Sequence, residues 1–127
     1  MLLFPTTLKP SPIHGFGVFL LAPVKKGEVI WRFDERIDRV YSAQDFNALP
    51  EVAQKFVTTY GTWLASKDEW VVSGDNARFF NHSDKPTTVS LGIAYADDIA
   101  AYDLPTGTEL TSDYKTICDK TLQTGEL

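Results

Sequence analysis

Eight residues near the middle of the chain, Asn76-Ala-Arg78-Phe-Phe-Asn81-His82-Ser83, gather an unusual set of reactive side chains. A guanidinium, two carboxamides, an imidazole and a hydroxyl stand beside adjacent phenylalanines, with Gly74 before them and Pro86 behind. Asn, Ser and His bond nearby backbone and so compete with regular ladders, whereas Phe79 and Phe80 demand burial. Both demands together predict an irregular, partly buried segment stocked with donors and acceptors, which is how a ligand site is built. Other readings stay open at this point. Asn81-His82-Ser83 fits a glycosylation acceptor, although the Phe pair argues against a solvated loop. His82 could be a satisfied core histidine, or join Ser83 and Asp84 in a Ser-His-Asp set, whose members ordinarily converge from separate elements.

Two further stretches carry the same mixture of freedom and chemistry. Gly15-Phe16-Gly17 runs into Val18-Phe19-Leu20-Leu21; glycines around an aromatic, just before a strand, let backbone approach another chain or a ligand closely. No third glycine and no helix follow, so this is not a dinucleotide fingerprint. Near the far end, Pro105-Thr-Gly107-Thr predicts a tight turn, and Glu109-Leu110-Thr111-Ser112-Asp113-Tyr114 follows it.

The elements that must position these residues are short. Pro5, Pro10 and Pro12 make an extended, turn-rich lead-in that cannot be helical, with Leu2 to Phe4 able to add a strand or plug an edge. Strands are predicted over 18–21, 29–33, 37–41, 70–72, 88–95 and 99–104, the last two as an antiparallel pair turning at Asp97-Asp98. Ser42 and Asp45 resemble a capping box opening a short helix. Pro50 stands where a first helical residue is tolerated. Val52, Phe56, Val57, Tyr60, Trp63 and Leu64 recur at helical spacing, which predicts a helix over 51–65 with those side chains as core. The polar tail from 115 is expected to be loose. Many short strands with Gly/Pro turns and one helical insertion predict a single β-rich domain over 1–127.

Composition sets the class. The chain has 127 residues, 43% hydrophobic and 13% aromatic, enough for one domain with a real core. It shows neither a leader-like pattern nor an apolar run of membrane-spanning length, so the expectation is an intracellular, cytoplasmic protein with no membrane partner. Cys118 is the one cysteine, which excludes an intramolecular disulfide framework and a Cys-rich metal site. A net charge of −5 argues against direct nucleic-acid binding and suits a basic protein segment as partner.

Taken in order, the pieces resemble the SET domain, the fold of most protein lysine methyltransferases. Ser11-Pro-Ile-His-Gly15-Phe-Gly17-Val-Phe19 is similar to its amino-terminal G-x-G motif. Asn76-Ala-Arg78-Phe-Phe-Asn81-His82-Ser83 with Pro86 resembles R-F-x-N-H-S-x-x-P, and Pro105-x-Gly107-x-Glu109-Leu110-Thr111-x-Asp113-Tyr114 resembles G-E-E-L-T-x-D-Y. The resemblance implies a β-clip fold of small curved sheets, with the last motif threaded beside the N-H-S segment as a pseudoknot and a variable insert over about 42–65. It implies S-adenosylmethionine as cofactor, S-adenosylhomocysteine as product, and a protein lysine as acceptor.

By the same resemblance, Gly15, Phe16, Gly17, Arg78, Asn81 and His82 bind the cofactor. The backbone of the glycines approaches it, Arg78 faces its carboxylate, Asn81 offers its amide to the amino-acid end, and His82 serves the adenine through its main chain. Tyr114 matches the family's catalytic tyrosine, positioning amine and methyl. Ser112 stands where many relatives carry the Phe or Tyr that limits methylation state, so a wider substrate pocket is expected, with Tyr60 or Tyr95 as the aromatics that would fill it. Asp84 replaces the usual zinc-binding Cys, no Cys-rich tail follows, and Pro86-Thr87 replaces the usual P-N. No metal is expected, and a second copy of so small a domain could complete its groove. The alternative is a SET-fold module that binds peptide or cofactor without turnover.

Overall fold

Short runs of β-branched and aromatic residues, each cut off by Gly or Pro, become ten strands of two to five residues in the computed structural model, which describes residues 1–92 and 95–117. They make three small sheets. The first runs β1 (Thr6–Pro10), β2 (Phe16–Leu20), β10 (Glu109–Ser112) and β7 (Asn81–His82). In the second, β9 (Asp98–Ala100) lies between β3 (Val29–Trp31) and β8 (Thr88–Ser90). The third sets β6 (Glu69–Val72) between β4 (Arg39–Ser42) and β5 (Thr62–Leu64).

Alternation decides which face each strand buries. Val18 and Leu20 on β2 and Leu110 on β10 are at most 1% exposed, and they join Val24, Ile30, Ala100 and Leu104 in the main core. A satellite core of Val57, Trp70 and Val72 ties the helical insert to the third sheet. That insert is α1 (Ala43–Ala48), opened by Ser42 accepting the Asp45 amide at 3.0 Å, and α2 (Glu51–Tyr60). Pro50 precedes α2 as its cap rather than standing as its first residue.

β7 and β10 pair in parallel, Thr111 opposite Asn81 and Ser112 opposite His82. Adjacent parallel strands this short are ordinarily reached through a crossover. Here the connection runs through the second sheet, which takes β8 and β9 from it, before the closing segment returns beside β7 in the pairing expected of the pseudoknot. The fold is β-rich, built from small sheets, as the sequence led us to expect.

Several boundaries differ from expectation. The helix predicted over 51–65 stops at Tyr60, because Gly61 turns extended; a Cβ there would sit 2.5 Å from the Val57 carbonyl oxygen. Trp63 and Leu64 therefore belong to β5, while Val52 and Phe56 face outward rather than into the core. The proline-rich lead-in is a regular strand, β1. The strand predicted over 88–95 ends at Ser90, where the Leu91 amide bonds the Asp97 carbonyl and closes a loop. The one predicted over 99–104 breaks after Ala100, and Leu104 makes only an isolated bridge to Val24. Of the tail expected to be loose, the first residues continue α3 (Tyr114–Ile117), and positions 118–127 lie outside the described residues.

Candidate functional site

The three motifs meet at the β2, β10 and β7 edge of the first sheet. The central one forms a single 3₁₀ turn, Asn76–Phe79, capped by Asp75 accepting the Ala77 amide, and then enters β7. Asn81 is 6% exposed. Its Nδ2 donates to the carbonyls of His14 at 3.0 Å and Phe16 at 3.2 Å, and to Glu109 Oε2 at 3.0 Å. The amide donor expected to face a ligand is thus engaged inside the chain, where it fixes the backbone of the Gly-Phe-Gly loop. Glu109 completes the clasp by accepting from Ser11 Oγ. Gly17 makes room for it, since a Cβ there would lie 2.4 Å from Glu109 Oε2. Gly15 serves differently: its φ of +48° lies in the left-handed region, and nothing stands within 4 Å of where a Cβ would be.

His82 is wired to Tyr114. Its Nδ1 accepts the Tyr114 backbone N–H at 3.1 Å, and its Nε2 lies 3.0 Å from Asp84 Oδ1. The imidazole therefore carries its proton on Nε2 and donates to Asp84. The His82 and Tyr114 rings lie 5.3 Å apart between centroids. The Tyr114 hydroxyl in turn donates to the Phe80 carbonyl oxygen.

Two cavities flank these residues. The larger, about 270 Å³, is bounded by the Gly-Phe-Gly loop, Asn81 and Thr59. The smaller, about 100 Å³, is bounded by Trp31, Ser90, Tyr95, Asp98 and Ser112 among others. Tyr60, Arg78, Phe80 and Tyr114 line both and so form their common wall. Arg78 stacks there, its guanidinium carbon 5.0 Å from the Phe79 centroid and 5.9 Å from those of Phe56 and Tyr60. Tyr60 closes the wall from the end of α2, edge-on to Phe79.

The structure thus gathers Gly15, Phe16, Arg78 and Asn81 around the larger cavity and Tyr60, Tyr95 and Ser112 around the smaller, with Tyr114 between. Gly17 and His82 stand behind, holding Glu109 and Tyr114. Ser112 is 3% exposed, and its hydroxyl has no partner among the described residues. Tyr95 donates to Glu69; burial first, then that bond and the carboxylate's charge, push the phenol up to about 12.

Trp31 and Asp98 were missed by sequence reasoning. They face one another as register partners of β3 and β9. Burial is the main cause that raises the Asp98 carboxyl to about 6; a Ser90 hydrogen bond opposes it and the neighbouring Asp97 adds to it. Among the described residues, no group of three or more His, Cys, Asp and Glu is placed to hold a metal, and no helix is long and apolar enough to cross a membrane.

Comparison with known proteins follows the same lines. No curated protein matches the chain significantly. Among solved structures, a humanized mutant of the Chaetomium thermophilum Polycomb Repressive Complex 2 bound to the inhibitor GSK126 superposes with a TM-score of 0.65 at 18% identity, covering 87% of this chain and 15% of that one. The ctPRC2 complex in an autoinhibited conformation bound to S-adenosylmethionine gives the same TM-score, 0.65, at 18% identity, with the same coverage of 87% and 15%. At such identity the likeness is one of fold, and this chain spans a small part of either relative. The family model of the SET domain matches residues 15–115, and the chain belongs to that family.

Proposed function

We propose that this protein transfers a methyl group from S-adenosylmethionine to the side-chain amine of a lysine in a protein substrate. One observation carries the reading: a larger cavity beneath the Gly-Phe-Gly loop and a narrow one share a wall that contains Tyr114. A cofactor in the first and an alkyl amine in the second would face each other across that tyrosine.

The residues suit the cofactor. Gly15 leaves open space on its Cα side, Phe16 is 58% exposed and offers a ring face, and the buried Arg78 Nε has no partner among the described residues. Arg78 would hold a carboxylate, while Asn81 keeps the loop in place. When bound, the cofactor supplies an electrophilic methyl on a sulfonium. The chain's own part is alignment. Because the Tyr114 hydroxyl gives its proton to the Phe80 carbonyl, its oxygen is presented to a cationic or polarised group as an acceptor. Desolvation in a narrow, largely aromatic channel also lowers an ammonium's pKa, so a bound amine releases its proton more readily there. Positioning and electrostatics therefore contribute more than strong base catalysis at this tyrosine.

Labelled methyl transfer into a cell extract, with mass spectrometry of the modified lysine, tests the activity, and calorimetry tests cofactor binding. Tyr114→Phe keeps the ring and removes the hydroxyl. Turnover should fall about a hundredfold or more with cofactor affinity nearly unchanged. A Tyr114→Phe protein that methylates its best substrate at the wild-type rate would sink the assignment.

A further inference from the structure

The smaller cavity holds a group that methyl-transfer alignment does not require. Asp98 projects from the middle strand of the second sheet, between Trp31 on β3 and Ser90 on β8. It shares the cavity with the indole of Trp31, whose Nε1 lacks a partner, and with Ser112, whose hydroxyl also lacks one among the described residues. The Asp98 carboxyl, the Ser112 hydroxyl and five aromatic residues (Trp31, Tyr60, Phe80, Tyr95 and Tyr114) around about 100 Å³ describe a site for a small organic cation, with the Arg78 guanidinium also in the lining but stacked on the rings of Phe79, Phe56 and Tyr60. The rings attract a cation through their faces, and the carboxylate provides a charged hydrogen-bond acceptor. A buried, unsatisfied hydroxyl is ordinarily unfavourable, so Ser112 gains most when a donor or acceptor enters.

We propose that Asp98 receives the incoming alkylammonium in this cavity and takes its proton, with Ser112 as the second contact. The inference rests on the methyltransferase reading and deepens it. The ammonium enters with its charge opposite the carboxylate. One proton passes from nitrogen to a carboxylate oxygen, leaving a neutral amine with its lone pair and a neutral carboxyl, and no other co-reactant is needed. A carboxyl that titrates at about 6 is ionised at neutral pH yet far more basic than an ordinary aspartate, which suits proton acceptance near the working pH. The other charged or titratable groups nearby leave this role to Asp98. Asp97 is bonded to Arg32 at 2.7 Å, Tyr95 donates to Glu69 with Lys67 above its ring, and the terminal amine pairs with Asp38. Arg78, in the wall shared with the larger cavity, stacks on aromatic rings, and no ion pair joins it to Asp98 among the described residues.

Two measurements on the full chain test this. With carbon-13-labelled aspartate, n-butylammonium serves as the lysine side-chain probe and n-butanol as its uncharged control. The Asp98 carboxyl resonance should shift saturably with butylammonium, its titration should move to lower pH, and butanol should do neither. Absence of any saturable shift in the wild type would overturn the proposal without recourse to a variant. In turnover, the rate should rise with pH through about 6 in the wild type. The near-isosteric Asp98→Asn should lose that limb and about a hundredfold of kcat/KM, with S-adenosylmethionine affinity unchanged. An Asp98→Asn protein with the wild-type rate and pH profile would also refute it, while leaving methyl transfer itself intact. Failure to bind S-adenosylmethionine or to transfer methyl would instead remove the methyltransferase reading, whatever the butylammonium titration gives.

Discussion

Substituting Gly17 by alanine probes how the cofactor-side loop is held. The added Cβ would lie 2.4 Å from Glu109 Oε2 and 3.1 Å from the Ser11 Cβ. A carboxylate oxygen is the far end of a flexible side chain, so the clash alone is easily relieved. The consequence is the loss of what Glu109 holds. Displaced, it leaves Ser11 Oγ, bonded at 2.9 Å, and one of the three contacts of Asn81 Nδ2, at 3.0 Å. Hydrogen bonds to a charged acceptor contribute about 1.5–3 kcal/mol each. Glu109 is only half-buried and Asn81 keeps its two carbonyl partners, so the lower end applies to each of the two bonds and Gly17→Ala should destabilise by about 3 kcal/mol in all. The assay is a double-mutant cycle by urea unfolding with Glu109→Ala. Once the carboxylate is gone the new methyl has little to displace, so Gly17→Ala should cost below about 0.5 kcal/mol in that background, within the scatter of non-interacting sites. Equal costs in both backgrounds would refute the account, placing the need for Gly17 in its backbone instead.

Two further outcomes follow from the smaller cavity. Ser112→Tyr fills the space beside Asp98 and should shift products from higher methylation states toward monomethyl-lysine in a mass-spectrometric time course; a wild-type protein that itself stops at monomethyl-lysine would contradict a wide pocket. Asp98 binds its proton more tightly folded, at about 6, than unfolded, at 3.8, so wild-type stability should fall as pH rises from about 4 through about 6. Asp98→Asn lacks that slope and should be the more stable protein above pH 7 by at most about 3 kcal/mol, an advantage that vanishes near pH 4 in urea unfolding.

Much of the site was legible because its motifs announce unusual backbone needs. Glycines flanking Phe16, a carboxamide and imidazole after paired phenylalanines, and a turn before Glu109 could each be read locally, and so could the Ser42 cap. What each residue touches was not legible. Asn81 was expected to offer its amide outward, yet its donors point to His14, Phe16 and Glu109. That convergence spans about ninety residues of chain, and no local pattern encodes it. Trp31 sits in a predicted strand where an aromatic reads as core, and Asp97-Asp98 reads as turn chemistry. Only the pairing of β3 with β9 sets them face to face over a cavity. The helix over 51–65 failed for a different reason: Trp63 and Leu64 keep the helical period by coincidence, while Gly61 decides the ending.

The departures from the family pattern sort by what the structure does with them. Thr87 stands where relatives have Asn, and its hydroxyl does both jobs of an amide. It accepts the Thr111 N–H at 2.9 Å and donates to the Glu109 carbonyl at 2.9 Å, while the Thr87 N–H bonds Thr111 Oγ1 at 3.0 Å. Thr88 adds a bond from its hydroxyl to the Thr111 carbonyl at 2.8 Å. A parallel ladder of two residues per strand is weak by itself, and these side chains extend it. Asp84, in place of a zinc-binding Cys, holds the His82 ring that accepts the Tyr114 amide. Both replacements are satisfied, so the frame around Tyr114 survives them. Ser112 is different: its hydroxyl is buried with no partner among the described residues, in the smaller cavity beside the Asp98 carboxyl, whose burial raises it to about 6. The frame around Tyr114 is thus closed within the chain, and two buried polar atoms without a partner among the described residues, Arg78 Nε and Ser112 Oγ, belong to the cavities beside it.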